Sequence, residues 1–416
     1  MHHRRIAAGS AAMLTALALS ATAGAAGQSS AGAPAESGPG VVPPATSTTG
    51  ITTKGLPCSK PGSPYQNRSV HTTYSRPGMY VHRWTALDRT RLFLLKAKTV
   101  GRPRVKFGPI AGQALNSRAT STQRLGHTRY GLVATNADFF YWGQTWTAWG
   151  PEVLNGTTRK GSFVAQDALV GYRDGHVGLA KVKMNEIIWA NGKVLALNTM
   201  NSQNLAADGI GMYGAMWGNT PMSYVISSGR VEEIFVANNR ITAISQRFTT
   251  QARPTNGYVL VAQGRGVDRL NALKPRIGLR LGKMMQPATT STGRTVYEAL
   301  GVGLILIRNG ILQANAACVS DRQVARTIVG IADGGTTLYV AVCEGIKDNS
   351  YYGHAGLSLR EATGVMRELG VSDAMMFDGG GSTQLSVRDW ARTWQVARPA
   401  DGYQRPVPSM LGIFSQ

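Results

Sequence analysis

The run Asp378-Gly379-Gly380-Gly381-Ser382-Thr383 is the segment best equipped for chemistry. Residues 374–377 read as a buried strand, so the Asp378 carboxylate stands at the end of a rigid element. Glycines carry no side-chain bulk and let a ligand approach the backbone closely. Their consecutive N–H groups can form a nest for an anion, and Ser382 and Thr383 add hydroxyls. A tight turn that needs positive φ is satisfied by one glycine. Three in a row between Asp and Ser-Thr point to a site handling a phosphate or a sugar.

Two further constellations carry polar groups on strand ends. In Thr135-Asn136-Ala137-Asp138-Phe139-Phe140-Tyr141-Trp142, an amide and a carboxylate emerge from an apolar strand and meet four aromatics, a common sugar-binding arrangement; a core aromatic cluster after an Asn-Asp turn is the plainer reading. In the hairpin around Asp333–Gly335, Arg326 and Glu344 fall near each other across the ladder. Arg326 offers bidentate phosphate binding and Glu344 an acid or base. The plainer reading is a surface ion pair of little energetic weight. Trp142, Trp146 and Trp149 suit sugar stacking and core packing equally well. The match of residues 209–214 to GxGxxG has no strand–turn–helix unit around it. His71, His82, His127, His176 and His354 lack zinc-ligand spacing. A divalent cation held by Asp378 and Asp138 is the one cofactor these residues leave open.

The elements that position these groups are mostly short apolar runs bounded by Gly, Asn, Asp or Pro. Strands are expected over 91–100, 131–136, 162–172, 222–227, 257–263, 303–308 and 325–331. Asn309-Gly310 and Asp333-Gly334-Gly335 are hairpin turns, because primed turns need positive φ at their central residues. One helix is explicit. Ser358-Leu359-Arg360-Glu361 is a capping box, Leu359, Ala362, Met366 and Leu369 mark one face, and Gly370 stops it. The fold class expected is α+β: a single catalytic domain rich in mixed or antiparallel sheet, with a few flanking helices.

The chain has 416 residues, with 44 Lys and Arg against 22 Asp and Glu, a net charge of +22. That excess fits an anionic partner, and equally a solubilising surface. No basic helix or zinc-finger spacing points to nucleic acid. Residues 1–25 read as a signal peptide: His2-His3-Arg4-Arg5, an apolar run over 6–19, then small residues. The run is too short and Ala-rich for a good membrane span. A released, extracellular or wall-associated protein with no transmembrane segment after cleavage is expected. Residues 26–57 read as a flexible Ala/Gly/Pro/Ser/Thr-rich linker, and 58–416 as the globular domain. Cys58, Cys318 and Cys343 permit one disulfide and one thiol, with the pairing open.

Three separated motifs resemble the phosphodiester glycosidase family. Its Asn-Gly-Gly-Phe-Phe strand end is similar to Asn136-Ala137-Asp138-Phe139-Phe140. Its Pro-Arg-Thr-Ala-Ile-Gly strand is similar to Ala325-Arg326-Thr327-Ile328-Val329-Gly330. Its Leu-Asp-Gly-Gly-Gly-Ser-Thr is similar to Phe377-Asp378-Gly379-Gly380-Gly381-Ser382-Thr383. Gly356-Leu357-Ser358-Leu359 and Arg405-Pro406-Val407-Pro408 also fit, so the resemblance spans 131–416. The chain departs from the family at Glu344-Gly345-Ile346, where Asp-Gly-Arg is frequent, and at Gly301-Val302-Gly303-Leu304-Ile305-Leu306, where Gly-Gly-Gly-Pro-Leu-Leu is usual; residues 185–295 match no family motif.

The resemblance implies hydrolysis of a sugar 1-phosphodiester in a glycan, wall polymer or nucleotide sugar. Asp378 is then stabiliser, base or nucleophile, Glu344 the second carboxylate and Arg326 the phosphate clamp. Asn136, Asp138, Gly379, Gly380, Gly381, Ser382 and Thr383 bind the substrate, a phosphorylated or anionic glycan. Two other readings are a non-catalytic basic protein that binds wall glycan, and a glycosidase for neutral polysaccharide.

Overall fold

A computed structural model describes residues 62–416 except 219, 221, 226–228, 250–252, 255, 314–321 and 346–355. The expected signal peptide and linker, Cys58, Cys318 and His354 lie outside the described residues. Cys343 is buried and unbridged.

Alternating apolar residues build two sheets that pack face to face. The first has eight strands, with Thr337–Cys343 and Arg326–Ala332 at its centre, Arg91–Lys98 on one side and Asp373–Met376 on the other. The second has five, with Gly131–Asn136 between Leu385–Arg388 and Met410–Phe414, and Lys106–Pro109 at one edge. Period-2 alternation gives the central strands of the first sheet two apolar faces. Val329, Ile331, Val340 and Val342 face Val133, Leu385, Val387 and Leu411 of the second sheet in one core. Ile328, Ala341 and Cys343 face the opposite way, onto the helix Leu359–Glu368 through Leu359, Ala362, Val365 and Met366. Gly330 leaves the space that Met366 and Val371 fill. The short helix Ser121–Gly126 covers the outer side of the second sheet through Leu125. The order of layers is therefore helix, sheet, sheet, helix, an α+β architecture that is almost wholly antiparallel.

Most local expectations match. The helix begins with the reciprocal Ser358–Glu361 capping box, and Gly370 follows it at φ 68°. Asn309 and Gly310 turn Ile305–Arg308 into Ile311–Leu312 with φ of 51° and 77°. Asp333, Gly334 and Gly335 all have positive φ between the two central strands. Two expected strands differ. Residues 162–172 break into Thr157–Ser162 and Gln166–Gly171, because Phe163 and Val164 are exposed between them. Residues 222–224 form a 3-10 turn whose Met222 is buried under the sheet face of Phe235 and Val259.

Residues 185–295, which match no motif, extend an eleven-stranded sheet through Ile210–Gly214, Gly257–Gln263 and Val231–Ala237. The helix Arg265–Asn271 packs on it through Val267 and Leu270. The GxGxxG segment lies in the strand Ile210–Gly214, followed by a 3-10 turn rather than a phosphate-binding helix.

Candidate active site

Two strands from different sheets end at the same place. Asp373–Met376 runs into Phe377 and Asp378, and Gly131–Asn136 runs into Ala137 and Asp138. The Asp378 N–H donates to the Ala137 carbonyl at 2.9 Å. Asn136 ties the junction. Its Nδ2 donates to the Asp378 carbonyl at 2.7 Å, and its Oδ1 accepts from Thr327 Oγ1 at 2.8 Å and the Gln384 N–H at 3.2 Å. Asn136 is 1 % exposed, and these bonds make it a positioning residue for Asp378.

The glycine turn carries the chain from the first sheet to the second. Its amides are largely used internally. Gly379 N donates to Asp378 Oδ1 at 2.8 Å, Gly380 N to the Ala325 carbonyl at 2.8 Å, Ser382 N to Gly379 and Thr383 N to Gly380, both at 3.1 Å. That differs from an open anion nest. Gly380 supplies φ 55°, and Gly381 has no side chain because Arg405 and Asp401 occupy the space a Cβ would take. Arg405 pairs with Asp401 at 2.6 Å, reaches Ser382 Oγ at 3.4 Å and lies 4.7 Å over the ring of Trp142. Trp142 is 53 % exposed and forms an aromatic rim above these charges, whereas Phe139 stacks on Trp149 in the interior at 5.2 Å. The Thr383 hydroxyl is buried with no partner among the described residues.

Burial dominates the electrostatics. It pushes the Asp378 carboxyl up to about 6, against hydrogen bonds from Ser382 and Gly379 and the nearby Arg405 charge. Burial also pushes Asp138 up, and the charge of Asp378 adds to the rise. Asp138 Oδ2 accepts the Gly150 N–H at 2.6 Å, while Oδ1 has no partner among the described residues. Gly150 and Gly301 form its cradle, since a Cβ on either would press into the carboxyl. Lys160, 1 % exposed, donates from Nζ to the carbonyls of Trp149 and Gly150 at 2.6 and 2.8 Å. Burial lowers its pKa, and Asp138 and Lys160 each hold the other partly charged. Burial raises both carboxyls, and the Asp378 charge adds to the rise at Asp138 alone; two neighbouring carboxyls set apart by their surroundings suit acid/base work. Among the described residues no group of three or more His, Cys, Asp or Glu gathers. Asp138 and Asp378, flanked by Lys160 and Arg405, make a weak seat for a divalent cation.

Arg326 and Glu344 stand elsewhere. Arg326 pairs with Cys343, so it shares the helix-facing side with Ile328. Its guanidinium donates to the carbonyls of Leu357 at 2.5 Å and Arg322 at 2.9 Å and contacts the Met376 sulfur. Glu344, one residue beyond Cys343, falls on the other side, where it pairs with Arg91 at 2.7 Å and accepts the Arg398 N–H at 2.7 Å. One-residue alternation separates the two side chains that the hairpin count put together. The structure gathers instead Arg405, Lys160 and Asp401, which the motifs did not assign. Lys160 carried a signal in Arg159-Lys160, two basic residues inside a short strand that is buried at both.

Residues 219–414 match the sequence model of the phosphodiester glycosidase family; the motifs at 325–330 and 377–383 lie inside that segment, and the one at 136–140 lies before it. Asp378 and Arg405 lie within it; Asp138 and Lys160 lie before it. No protein with a curated description matches the chain. Among solved structures, a hypothetical protein from Synechocystis is similar at 19 % identity with a TM-score of 0.63, covering 84 % of this chain and 68 % of that one. A protein of Burkholderia pseudomallei, named as a candidate exported protein, is similar at 18 % identity and a TM-score of 0.60, covering 78 % of this chain and 74 % of that one. These share the fold. The catalytic domain of zebrafish N-acetylglucosamine-1-phosphodiester alpha-N-acetylglucosaminidase, auto-inhibited by its pro-peptide, aligns at 14 % identity over 85 % of this chain and 87 % of that one, with a TM-score of 0.39 too low to carry a fold argument.

Proposed function

We propose that this chain, whose residues 219–414 match the phosphodiester glycosidase family, is an exported hydrolase that cleaves the bond between the anomeric carbon of a sugar and a phosphodiester oxygen. The observation that carries the reading is the pair Asp378 and Asp138, a half-buried and a buried carboxyl on adjacent strand ends, each held above the usual carboxylate range. A phosphomonoester leaves readily, so the reaction asks less of a general acid than an ordinary glycoside does. What it does ask for is a carboxylate beside an oxocarbenium-like transition state. Asp378, ionised above about pH 6, takes that role. Either Asp378 takes the proton of a water that attacks C1, or it attacks C1 itself and water then hydrolyses the ester; in both the C1–O bond breaks and its electron pair leaves with the phosphate. Asp138 carries the proton that the leaving oxygen or a sugar hydroxyl shares. Arg405 is the cation nearest Asp378 able to meet the phosphate charge, and Trp142 presents an apolar ring face for the sugar. Arg326 then braces the Leu357 turn instead of clamping phosphate.

The test is sugar release from a sugar 1-phosphodiester by the purified protein. Asp378→Asn is expected to cost on the order of a thousandfold in kcat. Turnover that survives this change removes Asp378 from the mechanism. A non-catalytic glycan-binding protein with the same fold is the second reading, favoured by the excess of basic residues over acidic ones; tight binding without turnover, indifferent to Asp378→Asn, is its signature. Export, with cleavage after Ala23 or Ala25, is checked by the N-terminal sequence of protein recovered outside the cell.

A further inference from the structure

The far end of the five-stranded sheet carries a second set of charges that the acid/base pair does not use. Three hollows of about 210, 460 and 360 Å³ adjoin there. The first and second share Val105 and Gln416, the first and third share Lys106 and Glu298, and the second and third share Ser415. Together they are lined by Arg76, Arg102, Arg104, Lys106, Arg129 and Arg173, against Glu298 as the acidic side chain. Glu298 is already neutralised, 3.0 Å from the Lys106 ammonium. Arg102, Arg104, Arg129 and Arg173 are exposed.

We infer that this continuous basic groove binds a polyanionic chain of repeating phosphodiesters joined by sugar or polyol units. Several guanidiniums in a row match successive phosphates, each of which a planar fork can engage bidentately. The aromatic lining decides between backbones. A groove for single-stranded nucleic acid stacks bases on open aromatic faces. Here the tyrosines already carry cations. Lys106 and Arg173 lie 5.2 and 5.1 Å over Tyr297, Arg129 lies 4.7 Å over Tyr130, and Arg294 lies 3.3 Å over Tyr172. These contacts hold the cations in place and cover a face of each ring, leaving Tyr130 as the exposed one, so cations outnumber open stacking faces and the groove favours phosphate over base. It is also separate from Asp378. Phe414 pairs with Lys106 and Gly131 while Met410 pairs with Asn136, so Lys106 and the Arg129 loop stand at the opposite end of the strand from the carboxyl pair, roughly 17 Å away at about 3.3 Å per residue, and only the third hollow runs back along the edge strand to Ile110. A polymer held there stays tethered to the protein whether or not a bond elsewhere in it is cut.

The experiment uses the purified full-length protein and a synthetic poly(glycerol phosphate) as probe, with binding followed by fluorescence anisotropy across salt concentrations. The expected result is binding that weakens steeply with salt and drops at least tenfold in the triple variant Arg102→Glu, Arg104→Glu, Arg129→Glu. Hydrolysis of a small sugar 1-phosphodiester by that variant stays at the wild-type rate, and Asp378→Asn binds the polymer as wild type does, so failure of the hydrolase reading leaves this one standing. Near-UV circular dichroism confirms that the variant is folded; if it is not, Arg102→Ala alone, at an exposed turn, replaces it with a smaller but measurable loss expected. Three results overturn the proposal: no binding by wild type, equal binding by the folded variants, or tighter binding of single-stranded DNA of matched charge.

Discussion

Asp378 owes its character to being taken out of water. Its folded pKa of about 6 stands above the ordinary 3.8, so the folded state holds a proton that the unfolded chain has lost between those values. Stability therefore falls as pH rises across that window, and the deficit is complete above it. Asp378→Asn removes the cost of the buried charge. At pH 7.5 it is expected to stabilise the fold by on the order of 1 kcal/mol, after discounting for partial exposure. Chemical denaturation at pH 7.5 and at pH 4 checks this, with the difference from wild type vanishing at the lower pH. For activity the same group must be ionised, so kcat/KM is expected to rise through about pH 6 and to fall at higher pH as Asp138 loses its proton. Both limbs report the interacting pair rather than either residue alone. A profile flat from pH 5 to 9 contradicts the acid/base roles. Asn136 belongs to this scale as well. Asn136→Ala strands the Thr327 hydroxyl, the Gln384 N–H and one end of the Asp378 carbonyl interaction. The expected loss is about 3 kcal/mol, read from the denaturant midpoint, with kcat falling because Asp378 is no longer held.

At the scale of elements, the glycine turn is a bridge between sheets, and its three glycines have three different reasons. Gly379 passes close to the Ala325 carbonyl, Gly380 takes positive φ, and Gly381 yields its side-chain space to the Arg405–Asp401 pair. Gly381→Ala is therefore expected to cost about 2 kcal/mol and to displace Arg405, raising KM for a phosphodiester more than Gly380→Ala does; steady-state kinetics of both variants decide. The turn, the capped helix and the two hairpins were legible in the sequence because their signals are local: a capping box, Asn-Gly, Asp-Gly-Gly, an Asp before three glycines. The pairing of Asp378 with Asp138 was half legible, since both sit at strand ends, but only packing of the two sheets brings those ends together. Arg326 and Glu344 show the limit. Counting from a turn gives proximity along a ladder, while the face each side chain takes depends on a single residue of register. Residues 222–224 fail for a related reason: Met222 is buried by tertiary packing on Phe235 rather than by strand alternation.

At the scale of the molecule, two antiparallel sheets fix the edge where Asp378 and Asp138 meet, and the α+β class followed from many short strands and few helices. Residues 185–295 offered no short motif because they build sheet and core, through Ile210, Met212, Ile234 and Leu260, although the family match takes in the part from 219 onward. The charge of +22 is concentrated in part on the groove formed around residues 102–106 and 129, away from the acidic pair. The central claim, however, is about which bond breaks. Hydrolysis of a sugar 1-phosphodiester in oxygen-18 water separates the alternatives most directly. Attack at the anomeric carbon leaves the released phosphomonoester free of oxygen-18, and that is the predicted outcome, lost in Asp378→Asn. Oxygen-18 in the phosphomonoester means attack at phosphorus, and it would contradict the account.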